Sequence, residues 1–597
     1  MIEPAEPSAA SAVPTGGVSW RAARRLIRSS ALWLVLVAAA IGAAAGAMAV
    51  GLGQAAHAMQ VLMFGIEPEV RLSAAVRVAP IRLILALPAG GVLLGLTGAI
   101  WARRNPKPPV DPVEANALRG GRLSARDSLF VALQTLISNG FGASVGLEAA
   151  YAQLGAGLGS RVGAQLNLRR ADLRIMVGAG AGAAIAAAFG APLTGAFYGF
   201  EVIIGSYTVA SMAPVAVASL AAALVARAAG ESVYGMAPEA FGGALTPQAY
   251  GLYALLGLAA AGFGVAVMRL SAVAEGLAAR LIGRRWLRPV IGAILLAGLA
   301  MLSPQTLSSG HGALRADLSE GLGFRLILAL IVLKAAASII SMGFGFRGGL
   351  FFASLFLGSL VGRAYGVMWG NWTPGLIDPT VASLVGMSAL ASAIIGAPLT
   401  MSFLALETTG DFGITAAALT ASLFASVVVR ETFGYSFSTW RLHLRGETIR
   451  SAHDVSWTRT LTAGAMMHPG VASIAAAATL AELRARHPLG SAKLVAILDP
   501  AGRYVGAAPL DAAFADQALD PARASAPASS LAINARDVLS PDMTIKEIME
   551  AFDRSEADEL VVVDGSGAPM GVLSEAYATR RYAEELEKAH RDLTGEG

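Results

Sequence analysis

Nine apolar runs constrain this chain more than any other feature: 31–54, 80–101, 171–189, 207–228, 249–269, 287–302, 324–342, 379–395 and 413–429. A bilayer's hydrocarbon core is about 30 Å thick, and a helix crosses it with about 20 residues. Each run is long enough, or nearly so, to span it. Hydrophobic residues make up 55% of the 597 and charged residues only 14%, against about 25% charged in soluble proteins. The mean hydropathy is +0.59. These features define a polytopic membrane protein. Several runs are short or interrupted by Gly and Pro, so uniform spans are not expected.

The net charge of +4 does not point to nucleic acid, because the basic residues cluster at span edges, as at Arg21, Arg24, Arg25 and Arg28. By the positive-inside rule that cluster puts the N-terminus in the cytoplasm of a plasma (inner) membrane protein. The first run is full-length, so no cleavable signal peptide is read. Cysteine is absent, which excludes disulfides and thiolate metal sites.

Residues 1–20 are rich in Pro, Ala, Ser and Gly and are expected to be disordered. Residues 21–446 form the membrane domain, and 447–460 a linker. Beyond it, charge returns and the periodicity changes. "KLVAILDPAGRYVGAAPL" (493–510) and "ELVVVDGSGAPMGVLS" (559–574) each read as strand, turn, strand, and amphipathic helices at 479–486 and 544–555 precede them. An Ala/Pro/Ser stretch at about 515–530 divides 461–597 into two α/β units, about 461–515 and 531–590.

The membrane domain repeats itself. "ISNGFGASVGLEAAYAQLG" (137–155) returns as "ISMGFGFRGGLFFASLFLG" (340–358), with Ile137, Ser138, Gly140, Phe141, Gly142, Gly146, Leu147, Leu154 and Gly155 recurring at a constant offset. "GAPLT" at 190–194 returns at 396–400, and Glu201 returns as Glu407. The repeats run about 80–228 and 287–446. Repeats of this kind are typical of transporters, whose substrate site lies on broken helices at the repeat interface.

Each matched block is a glycine turn followed by an apolar helix. Bare N–H groups at such a helix start carry partial positive charge and bind anions. Two starts related by a repeat can converge into an anion site without a full positive charge, which would hold an anion too tightly to let it pass. The same glycines also suit close helix packing alone. Glu148 stands at the first start and Phe351 at the second. An intramembrane acid is functional by default, although a carboxylate at a helix start also complements the dipole. Burial and N–H donors act oppositely on a carboxyl's hold on its proton. Such a group can therefore fill the anion site when ionised and release it when protonated.

These residues resemble the CLC family of voltage-gated chloride channels and proton-coupled chloride exchangers. The family's Gly-x-Glu-x-Pro motif is similar to Gly146-Leu-Glu148-Ala-Ala150, and Gly-x-Phe-x-Pro to Gly349-Leu-Phe351-Phe-Ala353, with Ala for each proline. "FGYSFSTWRLHLRGE" (433–447) resembles the family's final helix, and the tail resembles its paired CBS domains. The resemblance implies an all-α membrane domain of two inverted repeats with broken helices, followed by a cytoplasmic tandem CBS pair. It implies a homodimer with a pore in each subunit and both termini cytoplasmic. Glu148 would be the gating glutamate. Gly146, Leu147, Gly349, Leu350 and Phe351 would bind the anion with their backbone, and Tyr435 with its hydroxyl.

Three departures bear on function. The family's anion-binding serine falls at Pro109, which has no hydroxyl; in the family a proline there goes with nitrate preference. "PKPPVDP" also reads as a rigid extended linker. The position of the family's internal proton-relay glutamate holds Val202, as in family channels, while Glu201 reads as a structural helix-end partner. CBS domains that bind an adenine nucleotide usually place an acid after a Gly-x-x-Ser/Thr strand, where the chain has Tyr577 and Ala512, so the residues do not support a nucleotide cofactor at the CBS pair. The resulting expectation is a transport protein, not an enzyme, passing chloride or another small anion through a channel. The alternative is a proton-coupled antiporter of chloride or nitrate. A CBS-regulated Mg²⁺ channel or transporter is more distant, because its path should be lined by several carboxylates or carbonyls. A metalloprotease is set aside for want of His-Glu-x-x-His.

Overall fold

A computed structural model describes residues 31–105, 107–230, 245–319, 322–443, 461–515, 523–582 and 584. The expected disordered segment 1–20, the arginines before the first span and the linker 447–460 lie outside these residues, as do parts of the 515–530 linker and of 585–590. The chain divides into two compact units, 1–454 and 455–597.

The described part of the first unit is helical. Its first half comprises α1 (Ala31–Phe64), α2 (Pro80–Arg104), α3 (Pro112–Leu118), α4 (Ala125–Gly140), α5 (Glu148–Gln165), α6 (Arg170–Phe189), α7 (Pro192–Tyr198) and α8 (Val209–Ala228). The second half comprises α9 (Pro247–Leu281), α10 (Arg288–Leu302), α11 (His311–Ser319), α12 (Phe324–Gly343), α13 (Phe351–Trp372), α14 (Pro379–Ile395), α15 (Pro398–Thr409), α16 (Phe412–Thr432) and α17 (Phe437–His443). Among the described residues nine helices are long and apolar enough to cross a membrane, but they are not the nine runs read from the sequence. α13 belongs to the set although it is not among those runs. The 379–395 run is the 17-residue α14, a shorter apolar helix.

The repeated motifs have local causes. Gly190 closes α6 at φ 65° and Gly396 closes α14 at φ 80°, left-handed conformations that glycine adopts without a Cβ penalty. Pro192 and Pro398 then open α7 and α15 at the first helical turn, where proline's missing N–H costs nothing. Gly155 of α5 packs on the Gly180 carbonyl of α6, and the repeat-related Gly358 of α13 on the Gly386 carbonyl of α14. Any side chain there would strike backbone, so these glycines set helix spacing.

Across the two halves, equivalent residues exchange hydrogen bonds. Ser138 Oγ accepts from Arg347 N at 3.0 Å, and its counterpart Ser341 Oγ accepts from Ser144 N at 3.0 Å. Glu407 caps α7 through Leu193 N (2.7 Å), Thr194 N (2.8 Å) and Thr194 Oγ1 (2.7 Å). Glu201 caps α15 through Leu399 N (3.0 Å), Thr400 N (2.8 Å) and Thr400 Oγ1 (2.6 Å). Such reciprocity places an approximate two-fold axis between the repeats. It also gives Glu201 the helix-end role read for it.

In the second unit, β1 (His468–Pro469) pairs with β6 (Pro569–Ser574), which pairs with β5 (Glu559–Val563). A second sheet joins β2 (Ser473–Ala475), β3 (Leu494–Leu498) and β4 (Tyr504–Pro509) in that order. Both expected strand–turn–strand segments form. Helices Leu480–Arg486 and Ile545–Ser555 start on capping boxes, Thr479 with Glu482 and Thr544 with Glu547.

Candidate functional site: two paired helix ends

The turns after α4 and α12 bend back at Gly142 (φ 86°) and its counterpart Gly345 (φ 92°). Each turn delivers a short extended stretch, and these meet as an antiparallel bridge between Gly146 and Gly349. Gly146 N donates to Gly349 O at 2.8 Å, and Gly349 N to Gly146 O at 3.2 Å. Of the backbone groups expected to bind the anion, the N–H groups of Gly146 and Gly349 are thus used for each other. They hold the starts of α5 and α13 together instead.

Beyond the bridge both helices begin without a side-chain cap, at Leu147 and Leu350. Glu148 is 3% exposed. The backbone N–H groups of Glu148 itself and of Phe352 on α13 act on its carboxylate, so the acid of one repeat lies near the helix start of the other. Its Oε2 has no hydrogen-bond partner and lies against Gly146, where any Cβ would collide with it. Glycine is required at 146 because the carboxylate occupies the space.

A cavity of about 140 Å³ reaches this junction and takes in Pro109, Glu148, Val202, Gly349, Leu350 and Phe351. Leu147 faces a second cavity of about 190 Å³, lined also by His57, Arg71, His311 and Arg315. Residues 71–73 precede α2 and line the second cavity; residues 109–113 follow α2 and line the first. The 25 residues of α2 give it a length of about 37 Å, so the two cavities lie toward opposite ends of α2, one reaching Leu147 and the other its neighbour Glu148. Lys334, buried in α12, donates to Ser308 O at 2.7 Å and steadies the loop bordering the second cavity.

Two expectations change. Tyr435 does not line the Glu148 cavity itself: its hydroxyl meets His443 Nδ1 at 3.1 Å, its ring stacks on His443, and it lines an adjoining cavity beside Glu201 that shares Val113, Val202, Ile395 and Ser438 with the first. The tyrosine that lines the Glu148 cavity is Tyr198, at the end of α7, with its ring 6.0 Å from that of Phe351. A phenol inside the apolar "GAPLTGAFYGF" segment was the signal for it. Nor is "PKPPVDP" simply an extended linker. Asp111 caps α3, accepting from Val113 N at 2.8 Å with Pro112 at the first turn. Gln153 of α5 ties this turn to the site by donating to Val110 O at 3.0 Å.

Two uncapped helix starts, an acid between them and a cavity on either side define a membrane protein that passes a small anion. Residues 110–430 match the family model described as voltage gated chloride channel, and the chain belongs to that family, the CLC anion transporters. It is 30% identical over 410 residues to a putative chloride channel protein ClcB-like of Ralstonia nicotianae, covering 67% of this chain and 94% of the relative. It is 27% identical to the voltage-gated ClC-type chloride channel ClcB of Escherichia coli over 66% of this chain and 95% of that one. Its fold is that of a slow cyanobacterial Cl⁻/H⁺ antiporter (TM-score 0.61, 21% identity, 69% of this chain and 97% of that one). It is also that of a eukaryotic CLC transporter (TM-score 0.60, 18% identity, 92% of this chain and 98% of that one), a match longer than residues 1–454 could supply.

Proposed function

We propose that the protein exchanges a small monovalent anion, chloride in the first instance, for protons, with Glu148 as the gate of a separate path in each subunit of a homodimer. The observation that carries this is the buried Glu148 carboxylate lying between the paired helix starts, against the bridge glycines and beside Leu350 and Phe351 of the opposite repeat, with the Phe352 N–H acting on it. An incoming anion needs the same donors, so carboxylate and anion exclude each other. Protonation removes the carboxylate's charge and with it its claim on the helix ends. A path closed by a protonatable plug couples anion passage to proton movement. Leu350 and Phe351 line the cavity from the second repeat, and their backbone N–H groups are the proposed anion contacts, with Leu147 at the opposite entrance.

A voltage-gated channel is the second reading. It is favoured by Val202, an apolar residue on the cavity wall where a relay acid would stand, and by the channel names of the curated relatives. The 455–597 unit is proposed to be a tandem CBS pair on the cytoplasmic side. Its two three-stranded sheets and the length of the eukaryotic match support that. Proteoliposomes with an imposed chloride gradient separate the two readings. Uphill proton movement is the expected result; chloride flux without it establishes the channel.

A further inference from the structure

The exchange reading leaves a gap. Val202 cannot accept the proton that Glu148 gives up, and Glu201 already accepts from Leu399 N, Thr400 N and Thr400 Oγ1. One other carboxylate lines the Glu148 cavity among the described residues, that of Asp111. Tyr198 lines it as well, and its hydroxyl lies in the field of both the Asp111 and the Glu148 carboxylates. The volume of about 140 Å³ accommodates about four waters at about 30 Å³ each. The remaining charged groups on the cavity wall are the guanidiniums of Arg347 and Arg441. Asp127 stands behind the Asp111 turn, accepting from Val110 N at 3.4 Å.

We propose that Asp111 is the inner proton acceptor of this protein, reached from Glu148 through the Tyr198 hydroxyl and cavity water. In the transfer the Glu148 O–H bond breaks and its proton passes to the Tyr198 oxygen or a water. That group releases its own proton onward, and an O–H bond forms on the Asp111 carboxylate. Tyr198 ends as it began, a neutral phenol. Glu148, now ionised, returns to the helix ends, and Asp111 releases the proton to the solution on the residue 109–113 side. Asp111 thereby does from the α3 start what an acid at position 202 would do from the π-helical segment Gly199–Ile204 that continues α7. The two helical segments are joined, with Asn116 of α3 donating to Ile203 O at 2.8 Å.

This inference rests on the exchange reading, and the test keeps the two apart. Full-length wild type, Asp111→Asn, Asp111→Glu and Tyr198→Phe are reconstituted, and proton and chloride fluxes are recorded together. Asparagine is as good a helix cap as aspartate, so Asp111→Asn keeps α3 capped and removes only the proton acceptor. The expected result is a proton-to-chloride ratio at least about tenfold lower in Asp111→Asn, equivalent to about 1.4 kcal/mol, with chloride flux still measurable. Asp111→Glu restores coupling, and Tyr198→Phe slows proton movement selectively. Wild-type coupling together with an unchanged ratio in Asp111→Asn overturns the relay and leaves the exchange reading standing. A wild type that moves no protons overturns both.

Discussion

The two repeats use one scaffold for two tasks. Each bends at a left-handed glycine, offers a glycine to the central bridge and starts an uncapped helix. The first then places Glu148 at the start, and the second places Phe351. The acid reaches across to the second repeat's N–H groups, while Phe351 packs on Phe189 with ring centroids 5.1 Å apart and forms the wall. One helix end carries the plug and the other carries the seat. Two-fold geometry supplies converging donors, and breaking the symmetry at one residue turns the donor pair into a gate.

The largest expected effect comes from erasing that asymmetry. Glu148→Ala removes the plug, and anion flux becomes continuous and insensitive to pH while proton coupling is lost. Retention of wild-type pH dependence in liposomes would sink the gating role. The bridge glycines give the next test. At Gly146 a Cβ overlaps the Glu148 carboxylate, whereas at Gly349 the nearest neighbours, Ala149 N and Glu148 Oε2, both stand at 3.6 Å, an ordinary contact. Gly146→Ala should therefore displace the plug and raise resting anion flux severalfold, with Gly349→Ala close to wild type. Equal effects at the two positions would mean that the glycines matter only for the bridge.

The crossed caps are the symmetric control. Charge-assisted hydrogen bonds contribute about 1.5–3 kcal/mol each, so Glu201→Ala and Glu407→Ala should lower the thermal unfolding temperature by similar amounts. A change in the proton-to-chloride ratio in Glu201→Ala alone would assign Glu201 to the proton path. At the cavity wall, Pro109→Ser restores a hydroxyl and should shift selectivity from nitrate toward chloride by a few fold in competitive flux assays. The smallest effect lies in the second unit. The Ser566 hydroxyl, with the N–H groups of Ala568 and Ser566, holds the Asp564 carboxyl below the usual carboxylate range. A folded-state value below the unfolded one stabilises at neutral pH, and that contribution is lost as pH falls through the folded-state value. Asp564→Asn should make hydrogen exchange in the β5–β6 hairpin of the full-length protein less dependent on acid.

Much of this was legible in the sequence because the repeat preserves residues with strict backbone demands. The Gly turns, the "GAPLT" corners and Glu201 with Glu407 recur for reasons of φ angle and helix capping, and the structure uses each of them so. Contacts that exist only in three dimensions were hidden. Gly146 and Gly349 satisfy one another, which no linear pattern reveals. Tyr435 and Tyr198 are both tyrosines beside apolar helices, and only the fold decides which one lines the cavity with Glu148. α13, no less apolar than α6, reads in the sequence as the helix after a glycine turn and not as a span. Asp111, inside a proline-rich stretch, became visible only once it capped a helix facing the same cavity.

The central claim is that the Glu148 carboxylate occupies a seat made for an anion. The most direct measurement is a crystal structure of the wild type and of Glu148→Ala in bromide, with anomalous scattering to locate the ion. The expected result is a bromide between the starts of α5 and α13, in reach of the Phe352 N–H, in Glu148→Ala and none at that point in the wild type. A bromide beside an unmoved Glu148 carboxylate, or no bromide at the paired helix ends once the carboxylate is gone, would contradict it.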